Sequence, residues 1–472
     1  MFAALAFFPL KIKTPYRACY KEPYEMITVS VKNGVVLNVS GKPGLDLVRS
    51  EDPDHVSVHP DYIPYITPKL IVKEGDTVKR GSPLFYDKRD KRVFFVSPGG
   101  GRISEIRYGE RRSISEIRIT LAPSEEKRLT PAISETDMER MHRSDVVAAM
   151  LEGGVWPFLR SLPFRDMLPP DETPPALYVL LENQDPFHPS PELYLSGQER
   201  LFQFGLTLLK RLSPSVRVVK GATSILSIPK INEQITHVFS GAYPAHDPGV
   251  LVYRTRKNPV ENRSGYVSGQ DLLLIAGFFR SGEFPVARCV TVAGPLSQNP
   301  RTVQTRIGVP LSHILSLEEK KRDMRLIQGG LFNGHPVAMD EGMGLFESAL
   351  TLMGRGDQKE FFGFARLGYN KPSHSKTFLS AFRKRAAFDM DCGVHGEKRA
   401  CVNCGVCEKI CPVDILPQFM MKALHGGEIE EALEHGLLDC AVCGLCTYVC
   451  PSKINLSDIF KKARTDYYKE SK

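Results

Sequence analysis

The sequence predicts a multidomain α/β chain: a flattened β-barrel, an α/β layer, a small β-grasp-like unit and an all-helical C-terminal module built around two cysteine runs. Three observations carry that expectation. The last seventh contains Cys401-x2-Cys404-x2-Cys407-x3-Cys411-Pro412, and the same spacing returns at Cys440, Cys443, Cys446, Cys450 and Pro451. Short apolar stretches cut by glycine turns run from Leu70 to Ile119, and from Ala176 onward strand and helix patterns alternate. At 472 residues the chain exceeds what one core can serve and suggests three or four domains.

Residues 1–25 open with the apolar Met1 to Lys11 but lack a basic n-region and a small-residue cleavage site, so a disordered leader or a mis-assigned start is expected. The first clean strand pattern begins at Met26-Ile27-Thr28-Val29. Residues 26–130 read as the barrel, with Val72, Val78 and Leu84 as core anchors, Gly75-Asp76 and Gly81 as turns, and an alternating strand from Ile114 to Ile119. The pattern is that of a lipoyl/biotinyl-type barrel. Carrier barrels hold a lysine at a hairpin tip between apolar residues, whereas Lys88 and Lys91 stand among Asp87, Arg89, Asp90 and Arg92, so no lipoyl or biotin is expected. Gly99-Gly100-Gly101 is expected to be a tight turn, since no helix start follows to make it a phosphate cradle.

Residues 131–284 read as the α/β layer. It begins in earnest after the irregular Met167 to Pro175, with a buried strand from Ala176 to Leu181. A helix on Leu201, Gly205, Leu208, Leu209 and Leu212, strands at Val216 to Val219 and Thr236 to Phe239, and a buried helix segment from Leu272 to Phe279 follow. Residues 285–350 give the β-grasp unit, from the Val286 to Val292 strand through Asn299-Pro300-Arg301 to a helix start at Gly308-Val309-Pro310-Leu311. Residues 351–472 form the last module. Between Cys411 and Cys440 the apolar positions Ile415, Leu416, Phe419, Met420, Ala423 and Leu424, then Ile429, Ala432, Leu433 and Leu437, predict two short helices on either side of Gly426-Gly427.

Three cysteines two residues apart wrap one face of an iron–sulfur cube, and the fourth, ahead of a proline, reaches the neighbouring cluster. That rule assigns Cys401, Cys404, Cys407 and Cys450 to one [4Fe–4S] cluster and Cys440, Cys443, Cys446 and Cys411 to a second. Structural zinc also uses Cys-x2-Cys pairs, but it does not call for third and fourth cysteines at these offsets twice over. The remaining cysteines, Cys19, Cys289 and Cys392, are singletons, and disulfides are not expected. Clusters and free thiols both favour the reducing cytoplasm. No run of eighteen apolar residues occurs, so membrane association is expected to come through partners. A net charge of +8 without aromatic interleaving gives no nucleic-acid surface, and Arg383-Lys384-Arg385 reads as a solvated face or an anionic-headgroup contact.

Taken in order, these pieces make the chain similar to the NqrA family, the NqrA component of the Na(+)-translocating NADH:quinone reductase (Nqr), from Met26 to the C-terminal tail. The stretches that carry the likeness are Val72 to Gly81, Gly154-Val-Trp-Pro-Phe-Leu-Arg160 with Pro163-Phe164, Ser196-Gly-Gln-Glu199, Asn262-Arg263 with Gln270-Asp271, Gly294-Pro295 with Asn299-Pro300-Arg301, Phe362-Gly363-Phe364 and His395-Gly-Glu-Lys-Arg399. The resemblance implies a Rossmann-like α/β domain and a β-grasp unit of the SLBB (soluble-ligand-binding β-grasp) type. It implies a peripheral subunit on the cytoplasmic face of the bacterial inner membrane, in a complex that couples electron transfer from NADH to ubiquinone with sodium export. Membrane and redox subunits of the Nqr-type complex are the implied partners, with a quinone near the interface. Two departures matter. Typical NqrA chains keep only a vestige of the cluster cysteines near Cys446-Thr-Tyr-Val-Cys450-Pro451, whereas this chain has the full set, as in the RnfC component of the related Rnf complex. Where Rnf and complex I relatives carry a glycine-rich FMN loop, this chain reads Glu152-Gly153-Gly154-Val155-Trp156-Pro157-Phe158, and no FMN is expected. An RnfC-type chain and a purely structural assembly protein are the competing readings.

No nucleophile–base constellation stands out. His188 and His246, in loops, and His237, in a strand, are expected to be solvated or locally hydrogen-bonded. Arg160, Asn262 and Arg263 are expected at a salt-bridged surface, with a partner or quinone contact as the alternative.

Overall fold

Glycine turns fold seven short strands into the barrel, and the computed structural model shows why they must be glycines. A Cβ on Gly101 would lie 2.0 Å from the Thr120 carbonyl oxygen of the paired strand. One sheet holds His55–Val58, Ile114–Leu121, Gly101–Tyr108 and Thr77–Val78, and a second holds Pro68–Leu70, Pro83–Asp87 and Asp90–Val96. Between them lie Leu84, Phe85, Phe95, Ile103, Ile117 and Ile119, with the Phe85 and Phe95 rings stacked 4.7 Å apart. Burying each ring stabilises the barrel by about 2–3 kcal/mol. The structure describes residues 26–471 except 321–322, 358–361, 363–364, 366, 372–373, 375–377, 384–386 and 395. The leader 1–25 with Cys19, and Gly363, Phe364, Lys384, Arg385 and His395, lie outside the described residues.

The α/β layer is a seven-stranded sheet in the order Ile27–Ser30, His237–Ser240, Val216–Gly221, Leu177–Leu180, Gly265–Ser268, Arg160–Ser161, Asp166–Met167. Its first five strands are parallel and the last two antiparallel. Helices Glu199–Leu212 and Gly269–Ser281 cross where Gly205 faces Leu272, whose side chain would lie 2.9 Å from an added Cβ. Helix Pro248–Thr255 and the C-terminal module cover a second apolar surface, built on Val29, Tyr178, Val219, Val250 and Leu251.

A six-stranded sheet forms the β-grasp unit: His335–Val337, Arg325–Gln328, Ala349–Met353, Ala287–Ala293, Arg301–Arg306 and Leu47–Arg49. Two strands from the start of the expected barrel segment pair outside the two barrel sheets. Ile27–Ser30 pairs in parallel with His237–Ser240, Leu47–Arg49 pairs in parallel with Thr302–Gln304, and the barrel itself begins at His55. The physical reason is that each is an edge strand whose pattern fixes a strand but not its partner. The C-terminal module is helical as expected, with Pro417–Gly426 and Ile429–Glu434 between the cysteine runs and Leu456–Glu470 closing the chain.

Candidate iron–sulfur centres

The two cysteine loops repeat in backbone as well as in sequence. Asn403 and Gly405 take left-handed φ of 52° and 69° between the first three cysteines, and Val442 and Gly444 take 51° and 80° at the matching places. A short helix follows each loop, Val406–Lys409 and Leu445–Tyr448, and a further left-handed residue follows each Cys-Pro, Asp414 at 51° and Lys453 at 56°. Left-handed residues between ligands curl the loop so that three sulfurs turn to one side. Branched Val442 bears this conformation at a cost of order 1 kcal/mol or more.

Cys401, Cys404, Cys407 and Cys450 line one cavity, closed by Gln418, Met421, Ile454 and Leu456. Cys411, Cys440, Cys443 and Cys446 line another, walled by Ile415, Pro417 and Phe460. These are the two sets drawn from the spacing. The first is the outer one, with Cys404 exposed, and the second the inner one, with Cys411 and Cys443 buried. All eight thiols are free of disulfides. Among the described residues no three His, Cys, Asp or Glu side chains converge as the ligands of a single ion would. Each four-sulfur set instead opens around a cavity, which suits a core of several atoms; zinc draws its sulfurs to within about 2.3 Å of one centre.

Burial pushes the Cys411 thiol up to about 11 and raises Cys443 well above its ordinary value, with the other sulfurs of its set adding repulsion. Backbone N–H groups oppose this: Val413 and Ile415 at Cys411, Leu445 at Cys443 and Thr447 at Cys446. The Val442 N–H also reaches Cys440 Sγ at 3.4 Å. Thiols held so far toward their neutral form become ligands when iron supplies positive charge, and N–H···S contacts then tune the cluster.

The α/β layer supplies the outer wall of the inner site. The Tyr243 hydroxyl donates to the Cys443 carbonyl at 2.8 Å, and its ring stacks on Phe332 at 4.5 Å. Arg165 pairs with Asp247 at 2.6 Å and donates to the Ala441 carbonyl at 2.9 Å. Asn33 donates to the Cys411 carbonyl, and Arg254 and Arg256 pair with Asp414 and Asp439 on either side of the loops. From the last helix, Arg464 donates to the Cys440 carbonyl at 2.7 Å. Sequence reasoning found none of these groups. For Arg464 a signal existed, because it falls in phase with the apolar Leu456 and Phe460.

Comparison with known proteins fits these pieces. Residues 29–122 match the NqrA N-terminal barrel-sandwich hybrid domain, 141–284 the NqrA second alpha/beta domain, and 400–454 a 4Fe-4S dicluster domain. The NqrA protein of the Na(+)-translocating NADH-quinone reductase of Tolumonas auensis is 30% identical over 413 residues, 87% of this chain and 92% of the relative. The chain belongs to the NqrA family. The NqrA protein of Yersinia pestis is 29% identical over the same coverage. An NAD+-reducing [NiFe]-hydrogenase structure aligns over 47% of each chain at 12% identity and a TM-score of 0.32, too faint to carry an argument.

In this NqrA-family chain the other candidate residues are differently placed from one another. Gly153 and Gly154 end helix Arg143–Glu152 against Phe278 and Val96, and Trp156 is fully buried with its Nε1 donating to the Leu168 carbonyl at 2.7 Å. That stretch is packed core. Among the described residues Arg160 makes no salt bridge of the kind expected; its guanidinium lies 3.6 Å from the centre of the Phe346 ring. Asn262 accepts from Arg256 at 2.7 Å, and Arg263 is exposed. His246, expected to be solvated or locally bonded, is buried, its Nδ1 without a partner among the described residues, and burial pushes it down to about 3. His188 bonds Ser348 and Asn183, and His237 bonds Thr236. Lys88 lies in the turn between Pro83–Asp87 and Asp90–Val96, and Lys91 within the second strand.

Proposed function

We propose that this chain is a cluster-bearing peripheral subunit of a Na(+)-translocating NADH:ubiquinone oxidoreductase, and that it carries electrons itself. The single observation behind the electron-transfer role is the pair of cavities, each lined by four cysteine sulfurs. Cys401, Cys404, Cys407 and Cys450 ligate an outer [4Fe–4S] cluster, and Cys411, Cys440, Cys443 and Cys446 an inner one. Such clusters supply one-electron steps. The chain's own part is to fix the sulfurs, aim N–H groups at them and keep water from the inner set. The full cysteine set favours, as second reading, an RnfC-type chain.

The barrel, the α/β layer and the β-grasp unit then serve as docking surfaces for the membrane and redox subunits, with a quinone near the interface and no FMN, lipoyl or biotin. We divide the chain at 131, 285 and 351, the last boundary moving to just after strand Ala349–Met353 of the β-grasp sheet, with the two barrel sheets starting at His55. Among the described residues no helix is long and apolar enough to cross a membrane, which fits attachment at the cytoplasmic face through partners.

Anaerobic purification with iron and zinc analysis tests the reading. Roughly eight irons per chain and paramagnetic signals after reduction are expected, falling to about four irons in Cys404→Ser. Two zincs without iron would sink it. Isolation with Nqr membrane subunits, as opposed to Rnf-type partners, decides between the two complexes.

A further inference from the structure

Helix Leu456–Glu470 buries Leu456, Phe460, Arg464 and Tyr468 along one stripe, and the third of these is a cation. Arg464 is only 3% exposed. Its Nη1 donates to the carbonyls of Leu437, Leu438 and Cys440 at 3.0, 3.3 and 2.7 Å, and its Nη2 donates to the Pro163 carbonyl. Every one of these partners is neutral. Among the described residues no carboxylate lies within ion-pair distance of it, and the acids nearby in the chain and the fold are taken: Asp439 by Arg256 and Asp247 by Arg165. A buried charge without a counter-charge is costly, so the fold must supply an anion or waste stability.

An inner [4Fe–4S] cluster would be that anion. Four thiolates around a core of two positive charges leave two negative charges, and three once an electron is added. The guanidinium sits on the carbonyl of Cys440, itself a cysteine of the inner set. Among the described residues no buried arginine donates to a carbonyl of the outer cysteine loop as Arg464 does to that of Cys440. The residue that stands in the first half of the repeat where Arg464 stands in the second is His425, and it is exposed. The two loops are matched in spacing and backbone but not in charge.

We propose that Arg464 is the fixed counter-charge of the inner cluster and raises its reduction potential, so that an electron shared between the two clusters comes to rest on the inner one. The inference rests on the two-cluster reading. Burial acts the other way, because a low dielectric disfavours added negative charge; the same low dielectric strengthens the pull of a cation at this range. With both clusters bound, the step would be one electron from the outer, which is oxidised, to the inner, which is reduced, with no bond made or broken. Arg464 acts through its charge and is a positioning residue.

The test is a redox titration of the full chain, purified anaerobically, with each cluster followed by electron paramagnetic resonance. Arg464→Gln should shift the inner midpoint to more negative potential, so that the reduced fraction at a fixed poise falls about tenfold. Arg464→Lys keeps the charge and should stay within about threefold of the parent, with the outer cluster unmoved in both. Equal shifts in the two variants, or none in Arg464→Gln, would overturn the proposal. Loss of the inner cluster in Arg464→Gln but not in Arg464→Lys would support it, and loss in both would assign the side chain a purely structural role. A parent chain without iron defeats the two-cluster reading itself, an outcome distinct from two clusters whose midpoints ignore Arg464.

Discussion

Val442 shows what the cluster loops ask of single residues. It holds φ of 51° with a branched side chain, while Asn403, which tolerates the left-handed region, fills the matching turn. Val442→Asn should therefore raise stability by roughly 1 kcal/mol without changing iron content, measured by anaerobic thermal unfolding with iron analysis on the same sample. The eight cysteines were legible because ligand spacing is local information, and the loops carry it twice. Arg464 was not. A helical period marks its position as buried, but charge argues for exposure, and only the fold shows that its hydrogen bonds end on the inner loop.

At the scale of elements, strand His237–Ser240 and the loops beyond it and beyond Leu177–Leu180 hold buried ionisable groups. Burial lowers His188 and His237 to about 4 and His246 to about 3, and it raises Glu182 and Asp185 to about 7. The signs oppose. A histidine kept neutral when folded takes up a proton more readily when unfolded, so its contribution is present above about pH 6.5 and is lost as pH falls toward 4. The two carboxyls hold protons longer in the folded state, so they favour folding as pH falls from 7 to about 4. A single variant separates the two effects. Because His246 Nδ1 has no partner among the described residues, His246→Leu should be more stable than the parent, and the gap should widen below pH 6.5 by up to about 1.4 kcal/mol per pH unit. Urea unfolding at pH 7.5 and pH 5 measures it, and a gap that ignores pH would refute the assignment. These burials were not readable from sequence, since a loop histidine such as His188 is covered only once Gly330 and its neighbours fold against the loop beyond strand Leu177–Leu180.

Across the whole molecule, the helical module is fastened to the α/β layer by an apolar seam, in which Val413, Ile415, Met420 and Phe460 join Val29, Tyr178 and Val250, and by the Arg254–Asp414 and Arg256–Asp439 pairs. Residues of that seam flank Cys411, so the clusters and the docking stand together. Removing iron by chelation should open residues 400–454 to limited proteolysis while the barrel and the two sheets stay resistant; equal cleavage throughout would contradict this. The architecture was legible from period and turn chemistry, and the seams were not, because long-range pairing leaves no local trace. The strand Ile27–Ser30 makes the point in time as well as in space. Its partner His237 lies 210 positions downstream, and at a synthesis rate of about 5–20 residues per second that separation means roughly 10–40 s on the ribosome. Throughout that interval the segment is an open β-edge in search of a ladder, so the nascent chain is the stage at which this protein most needs a chaperone.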